Sequence, residues 1–306
     1  MKNKINWNGI YPAVTTQFTD DDKLDFKNIA INFDAQIEAG VDGLILGGTL
    51  GEASTLSISE KKELLKFTID NYGSKVPVIM NVAEQTTRGA IDAARQAVES
   101  GADGLMLLPP MRYAADKLET LTFLKSVAVA TELPIIIYNN PVDYKIEVTI
   151  DMFRELLEID TIQAVKESTR DISNVTRLGN AFGSRLKILT GVDTLGMESL
   201  LMGADGWVAG LVDAFPKETV AIYRLIKAGM NAEALNIYRW FLPLLELDVS
   251  TKLVQNIKLA GTYTGLSTEN VRAPRLKLYG EEREHVKKII ETAMASRPVL
   301  PDYLNL

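Results

Sequence analysis

The chain of 306 residues contains no cysteine. Disulfides, thiolate nucleophiles and cysteine-ligated metals are therefore excluded. A single histidine, His285, sits in the charged run Glu281-Glu-Arg-Glu-His-Val-Lys-Lys288, whose polar neighbours put it on a solvated helix face. That leaves nothing for a histidine metal site or a Ser-His-Asp triad, so no metal and no cofactor are expected. Proton transfers must then use tyrosine, lysine, a carboxylate, a hydroxyl or water. Blocks of consecutive basic residues are also missing, and 33 basic against 40 acidic residues give a formal charge of −7. A nucleic acid or an anionic membrane thus loses its usual electrostatic footprint. Nor is there an apolar run of the roughly 18 residues a membrane helix needs. The start, Met1 to Trp7, has no apolar stretch behind its lysines, so a cytoplasmic protein is expected.

What the chain does contain is a repeated phrase. Gly40-Val-Asp-Gly43, Gly101-Ala-Asp-Gly104 and Gly203-Ala-Asp-Gly206 each precede a short apolar run. Each reads as a helix ending at a glycine cap, a turn, and a strand. The copies begin 61 and 102 residues apart. With roughly 25 to 31 residues per strand-helix unit, these gaps are two units and four. Strands are expected over 10–18, 41–47, 76–82, 104–108, 134–138, 161–166, 186–191 and 206–210, with helices over stretches such as 59–72, 87–100, 117–131 and 173–182. The pattern predicts an α/β fold, a (β/α)8 TIM barrel over 1–230 with a C-terminal helical extension over 231–306 that includes helices near 232–247 and 281–295. A doubly wound sheet is the alternative, but no glycine-rich dinucleotide fingerprint follows the first strand.

In a parallel barrel the functional groups collect at the C-terminal strand ends. Lys166 closes the apolar strand of Thr161-Ile-Gln-Ala-Val-Lys166-Glu-Ser168, and Tyr138 closes the strand before it. An ammonium is costly to bury, so a lysine in a water-poor mouth is pushed towards the neutral amine that attacks a carbonyl. A lysine snorkelling from a strand edge is the alternative for that position. Tyr138, in the absence of an available histidine, is the best-placed acid/base. Gly47-Gly-Thr-Leu-Gly51, which includes Gly48, Thr49 and Leu50, offers backbone N–H groups and one hydroxyl to an anion. It lacks the Gly-Lys-Ser/Thr ending of a P-loop.

The order Gly-Thr-x-Gly-Glu, Tyr-Asn-x-Pro, Val-Lys-Glu-Ser and Gly-x-Asp, running from about Gly9 to the C-terminus, resembles the dihydrodipicolinate synthase and N-acetylneuraminate lyase family of Schiff-base lyases. The resemblance implies a homotetramer acting on a small 2-oxo acid or imino acid. It implies that Lys166 forms an imine with the substrate, that Tyr138 relays protons, and that Thr49 and the backbone of Leu50 hold the carboxylate beside Val208. Family members acting in lysine biosynthesis carry a second hydroxyl residue where this chain has Leu50. They place an interface tyrosine near Arg112 or Tyr113 and an arginine at the position of Asp143. These departures, with Asn140 on the same loop, mark substrate specificity and point away from that activity. The wider pattern, including Leu-Pro-Pro-Met-Arg-Tyr and Tyr-Asn-Asn-Pro-Val-Asp-Tyr144, is similar to a subgroup associated with hydroxyproline breakdown, the Δ1-pyrroline-4-hydroxy-2-carboxylate deaminases. An aldolase or dehydratase of deoxy sugar acids, 4-hydroxy-tetrahydrodipicolinate synthase and a non-catalytic carboxylate-binding barrel are the alternatives.

Overall fold

The computed structural model describes residues 5–306, so the first four residues of the segment read for a leader lie outside the described residues. Strands and helices alternate: β1 (Gly9–Pro12), α1 (Phe26–Ala39), β2 (Leu44–Leu46), α2 (Ile58–Tyr72), β3 (Val78–Val82), α3 (Thr87–Glu99), β4 (Gly104–Leu107), α4 (Lys117–Ala128), β5 (Ile135–Asn139), α5 (Pro141–Tyr144), α6 (Ile150–Leu156), β6 (Ile162–Glu167), α7 (Ser173–Phe182), β7 (Lys187–Thr190), α8 (Gly196–Leu201), β8 (Gly206–Ala209) and α9 (Pro216–Lys227). The helices start where the sequence supplies caps. Ser57 with Glu60 and Asp116 with Glu119 form reciprocal capping boxes for α2 and α4.

The strands pair in parallel in the order β1-β8-β7-β6-β5-β4-β3-β2. A bridge from Ala13 to Ile45 joins the two ends, so the sheet closes into the expected TIM barrel. Closure buries both faces of every strand, which is why their cores are continuous apolar runs. Tyr11, Ile45, Ile79, Met106, Ile136, Ala164, Leu189 and Val208 fill the interior, and Trp7 and Ile5 seal its N-terminal end. The intervening strand residues pack outward against the helices.

All eight strands fall within the expected stretches to within a residue, except that the first is shorter. Expected over 10–18, β1 stops at Pro12. Two backbone bonds follow, Ala13 N to the Ala209 carbonyl at 2.8 Å and Val14 N to the Ile45 carbonyl at 3.1 Å, and side-chain bonds then take over: Asp213 Oδ1 accepts from Thr15 N at 2.8 Å and Thr15 Oγ1 at 3.0 Å, and Gln17 Oε1 accepts from Thr268 N at 3.1 Å.

After α9 come α10 (Asn231–Leu245), α11 (Leu253–Thr264) and α12 (Gly280–Ala295). Gly229, with a φ of +78°, reverses the chain between α9 and α10. The extension is knitted to the barrel rather than appended to it. Tyr238 on α10 donates to the carbonyl of Asp193, and Lys258 on α11 reaches Glu52 at 2.6 Å.

Candidate active site

A cavity of about 450 Å³ opens at the C-terminal ends of the strands. Lys166, Tyr138, Gly48, Thr49, Leu50, Val208, Asn140 and Asp143, all expected at the site, line it together. Arg112 and Tyr113 do not. Both lie on the exposed turn after β4, with Tyr113 55% exposed, and neither reaches the cavity of its own chain.

Lys166 and Tyr138 are lateral partners across the β5–β6 ladder. An irregularity just upstream sets that pairing: Gln163 has no partner on β5 and accepts a hydrogen bond from Trp7 Nε1 at 3.1 Å. Lys166 Nζ stands 4.1 Å from the centre of the Tyr138 ring. Among the described residues no carboxylate lies within ion-pair distance of this ammonium, although the side chain is buried. Burial therefore drives its pKa down, against a partial upward pull from Tyr144, Asp248 and Asp193. Room for the lysine comes from Gly191, where a Cβ would lie 2.6 Å from Lys166 Cε.

Burial pushes the Tyr138 phenol up. Its oxygen accepts a hydrogen bond from Asn140 Nδ2 at 3.2 Å, and the same nitrogen donates to Asp143 Oδ2 at 2.7 Å. Asn140 thus ties the phenol to the loop that carries the expected specificity positions. Asp143 in turn faces Arg170 at 3.5 Å across the cavity mouth.

The glycine-rich turn is held from below. Gly47 has a φ of +66°, its carbonyl accepts from Asn81 Nδ2 at 2.8 Å, and a Cβ on Gly51 would meet the Val14 carbonyl at 2.9 Å. Neither Thr49 N–H nor Leu50 N–H finds a protein acceptor among the described residues, so both remain for a ligand. Thr49 Oγ1 bonds the Tyr144 hydroxyl at 3.1 Å.

Two motif residues turn out to be scaffolding. Glu52, at a left-handed φ of +54°, gives its carboxylate to Lys258 Nζ and to the Arg272 N–H at 3.0 Å; the Lys258–Glu52 pair is fully buried. Asp193 accepts from Trp207 Nε1 at 3.0 Å, Gly210 N at 3.1 Å and Leu211 N at 2.8 Å, and so fixes the exit of β8. Conversely, Tyr144, Arg170 and Asp248 are among the lining residues that the sequence did not single out. Tyr144 sits six residues beyond Tyr138 in a quoted motif, which was its available signal. Arg170, at a φ of +63°, occupies backbone that favours glycine. Asp248 comes from the segment between α10 and α11, and nothing local in the sequence marks it.

Comparison with known proteins places the chain and its fold in a family. Residues 6–293 match the model of the dihydrodipicolinate synthetase family. A 4-hydroxy-tetrahydrodipicolinate synthase of Archaeoglobus fulgidus is 29% identical, over 93% of this chain and 97% of the relative. The solved 4-hydroxy-tetrahydrodipicolinate synthase of Methylacidiphilum fumariolicum SolV superposes with a TM-score of 0.89 at 27% identity, covering 94% of this chain and 97% of that one. YagE of Escherichia coli K12, solved in complex with pyruvate, gives 0.88 at 25% identity, covering 95% and 99%. A (β/α)8 barrel with a buried lysine at the end of its sixth strand defines the class, that of the lysine Schiff-base lyases. The chain belongs to the dihydrodipicolinate synthetase family.

Proposed function

We infer that this lyase uses Lys166 to form an imine with a small 2-oxo acid or cyclic imino acid, and that its reaction is deamination of Δ1-pyrroline-4-hydroxy-2-carboxylate. The observation that carries the lysine's role is a buried amine with no counter-ion, beside a phenol and across the cavity from two unsatisfied N–H groups. A carboxylate on those N–H groups and Thr49 would leave C2 to the amine. The pyruvate complex of YagE supports a ligand of this size and charge.

The amine of Lys166 adds to C2 of the cyclic imine, and the C2–N bond of the ring breaks, leaving a primary amine on C5. Tyr138 gives its phenol proton to the departing ring nitrogen, and the resulting phenolate takes a proton from C3, the imine accepting the electron pair as an enamine. That pair returns to form C3=C4 as the C4–O bond breaks and water departs. The resulting unsaturated imine carries an allylic amine at C5, and it isomerises by losing a proton from C5 and one from that nitrogen while C3 and C4 each gain one, which leaves an imine at C5. Two waters then hydrolyse the imines at C2 and C5, giving 2,5-dioxopentanoate, ammonia and free Lys166. One water is consumed overall.

The names of the relatives favour a second reading, 4-hydroxy-tetrahydrodipicolinate synthesis. Against it stand Leu50 and Asp143, which line the cavity where those enzymes are expected to carry a hydroxyl residue and an arginine. Product analysis separates the two. The purified protein is incubated with the hydroxy-pyrroline carboxylate and, in parallel, with pyruvate and aspartate semialdehyde. Ammonia and 2,5-dioxopentanoate from the first arm support deamination; turnover confined to the second overturns it. A homotetramer belongs to the same proposal, and light scattering of the purified protein tests it.

A further inference from the structure

The reaction proposed above removes a proton from C3 and a hydroxide from C4. Tyr138, once it has given its own proton to the ring nitrogen, accepts the first proton, but the departing hydroxide needs a proton of its own. The cavity wall offers few titratable acids. Tyr144 is tied to Thr49, Asp143 is half exposed and faces Arg170, and Asp193 is buried among three donors and does not reach the cavity. Asp248 differs from all of these. Its carboxyl lines the same cavity as Lys166, and its side chain has no hydrogen-bond or ion-pair partner among the described residues.

The placement of Asp248 is built into the fold. It emerges from the end of α10 and is laid against Gly210, where a Cβ would fall 2.3 Å from Asp248 Oδ1. Glycine at the exit of β8 is what allows a carboxyl from the extension into the barrel mouth. The charged groups facing it are Lys166 from β6, Asp193 from the segment after β7 and Asp213 from the segment after β8. Burial and the two aspartates push Asp248 well above the ordinary carboxylate range, and Lys166 only partly opposes them. Burial thus favours the neutral form of both the amine and the carboxyl in one cavity, the forms their two steps use.

We propose that Asp248 is a second catalytic residue, the acid that protonates the hydroxyl leaving from C4 while Tyr138 removes the proton from C3. This rests on the elimination described above. The C4–O bond breaks with its electron pair on oxygen, the Asp248 proton joins that oxygen, and water leaves. The carboxylate regains its proton from solvent before the next turnover.

Two measurements test it. Asp248→Asn is compared with the parent protein on the hydroxy-pyrroline carboxylate and on its 4-fluoro analogue, whose leaving group needs no proton. The expected result is a roughly 10²–10⁴-fold loss of kcat on the hydroxy substrate, with near-parent kcat on the fluoro analogue and an unchanged yield of borohydride-trapped Lys166 adduct. Equal losses on both substrates, or no loss on either, overturn the acid role. A parent protein that traps no adduct would instead contradict the imine mechanism. Independently of substrate, infrared difference spectra at neutral pH should show a protonated-carboxyl band present in the parent and absent from Asp248→Asn. Its absence from the parent overturns the proposal whatever the substrate proves to be.

Discussion

The two ends of this barrel are built by opposite rules. At the N-terminal end the same device recurs. Gly40, Gly101 and Gly203 take φ values of 92°, 92° and 101° and turn the chain from helix to strand, and two residues later an aspartate bonds the backbone of the neighbouring strand. Asp42 accepts from Ile10 N at 2.8 Å, Asp103 from Val78 N at 3.0 Å and Asp205 from Ile188 N at 2.9 Å. At the C-terminal end no device repeats. Lys166 and Asp248 each occur once and are left without an ion-pair partner. A repeated aspartate bonded each time to backbone marks scaffold; a charged group that lines the cavity and is left unpaired marks chemistry.

Lys166→Ala should break the C-terminal end most completely, lowering kcat by about 10⁴-fold or more while thermal unfolding stays at or above that of the parent, because a buried amine is removed. A variant that keeps appreciable turnover would take the chemistry away from this lysine. Beneath the glycine-rich turn, Glu52→Gln leaves Lys258 buried without its partner. Denaturant unfolding should report a loss of about 3–5 kcal/mol.

A change at the N-terminal end should move stability alone. Asp42→Ala leaves the Ile10 N–H unpaired and should cost about 1–3 kcal/mol, with kcat and KM of the folded protein unchanged. A changed kcat would blur the division between the two ends.

The smallest expected effect is a pH dependence. Asp213, buried behind the rim, has its pKa raised from 3.8 to about 7, chiefly by burial. Between those values the folded protein binds more protons at this site than the unfolded chain, so its contribution favours folding at low pH and is lost as pH rises towards 7. Asp213→Asn should therefore gain stability relative to the parent between pH 4 and 7. A flat difference across that window would show that the carboxyl is ionised throughout.

The fold was legible because barrel strands are buried on both faces and punctuated by glycine, so short apolar runs at a regular spacing stand out. Lys166 and Tyr138 were legible for the related reason that each interrupts such a run at its end. Glu52 and Asp193 stood in the same motifs and could not be told apart from them, since their bonds to Lys258 and Trp207 are made across the fold. Asp248 left no local trace. Its position depends on how α10 packs and on the missing side chain of Gly210, which are tertiary facts.

The central claim is that Lys166 is the amine that joins the substrate. Borohydride reduction in the presence of pyruvate or the hydroxy-pyrroline carboxylate, followed by peptide mass analysis, measures it directly. The account predicts one covalent adduct per chain, carried on the peptide containing Lys166 and missing from Lys166→Ala. No adduct with any 2-oxo or imino acid, or an adduct on another lysine, would contradict it.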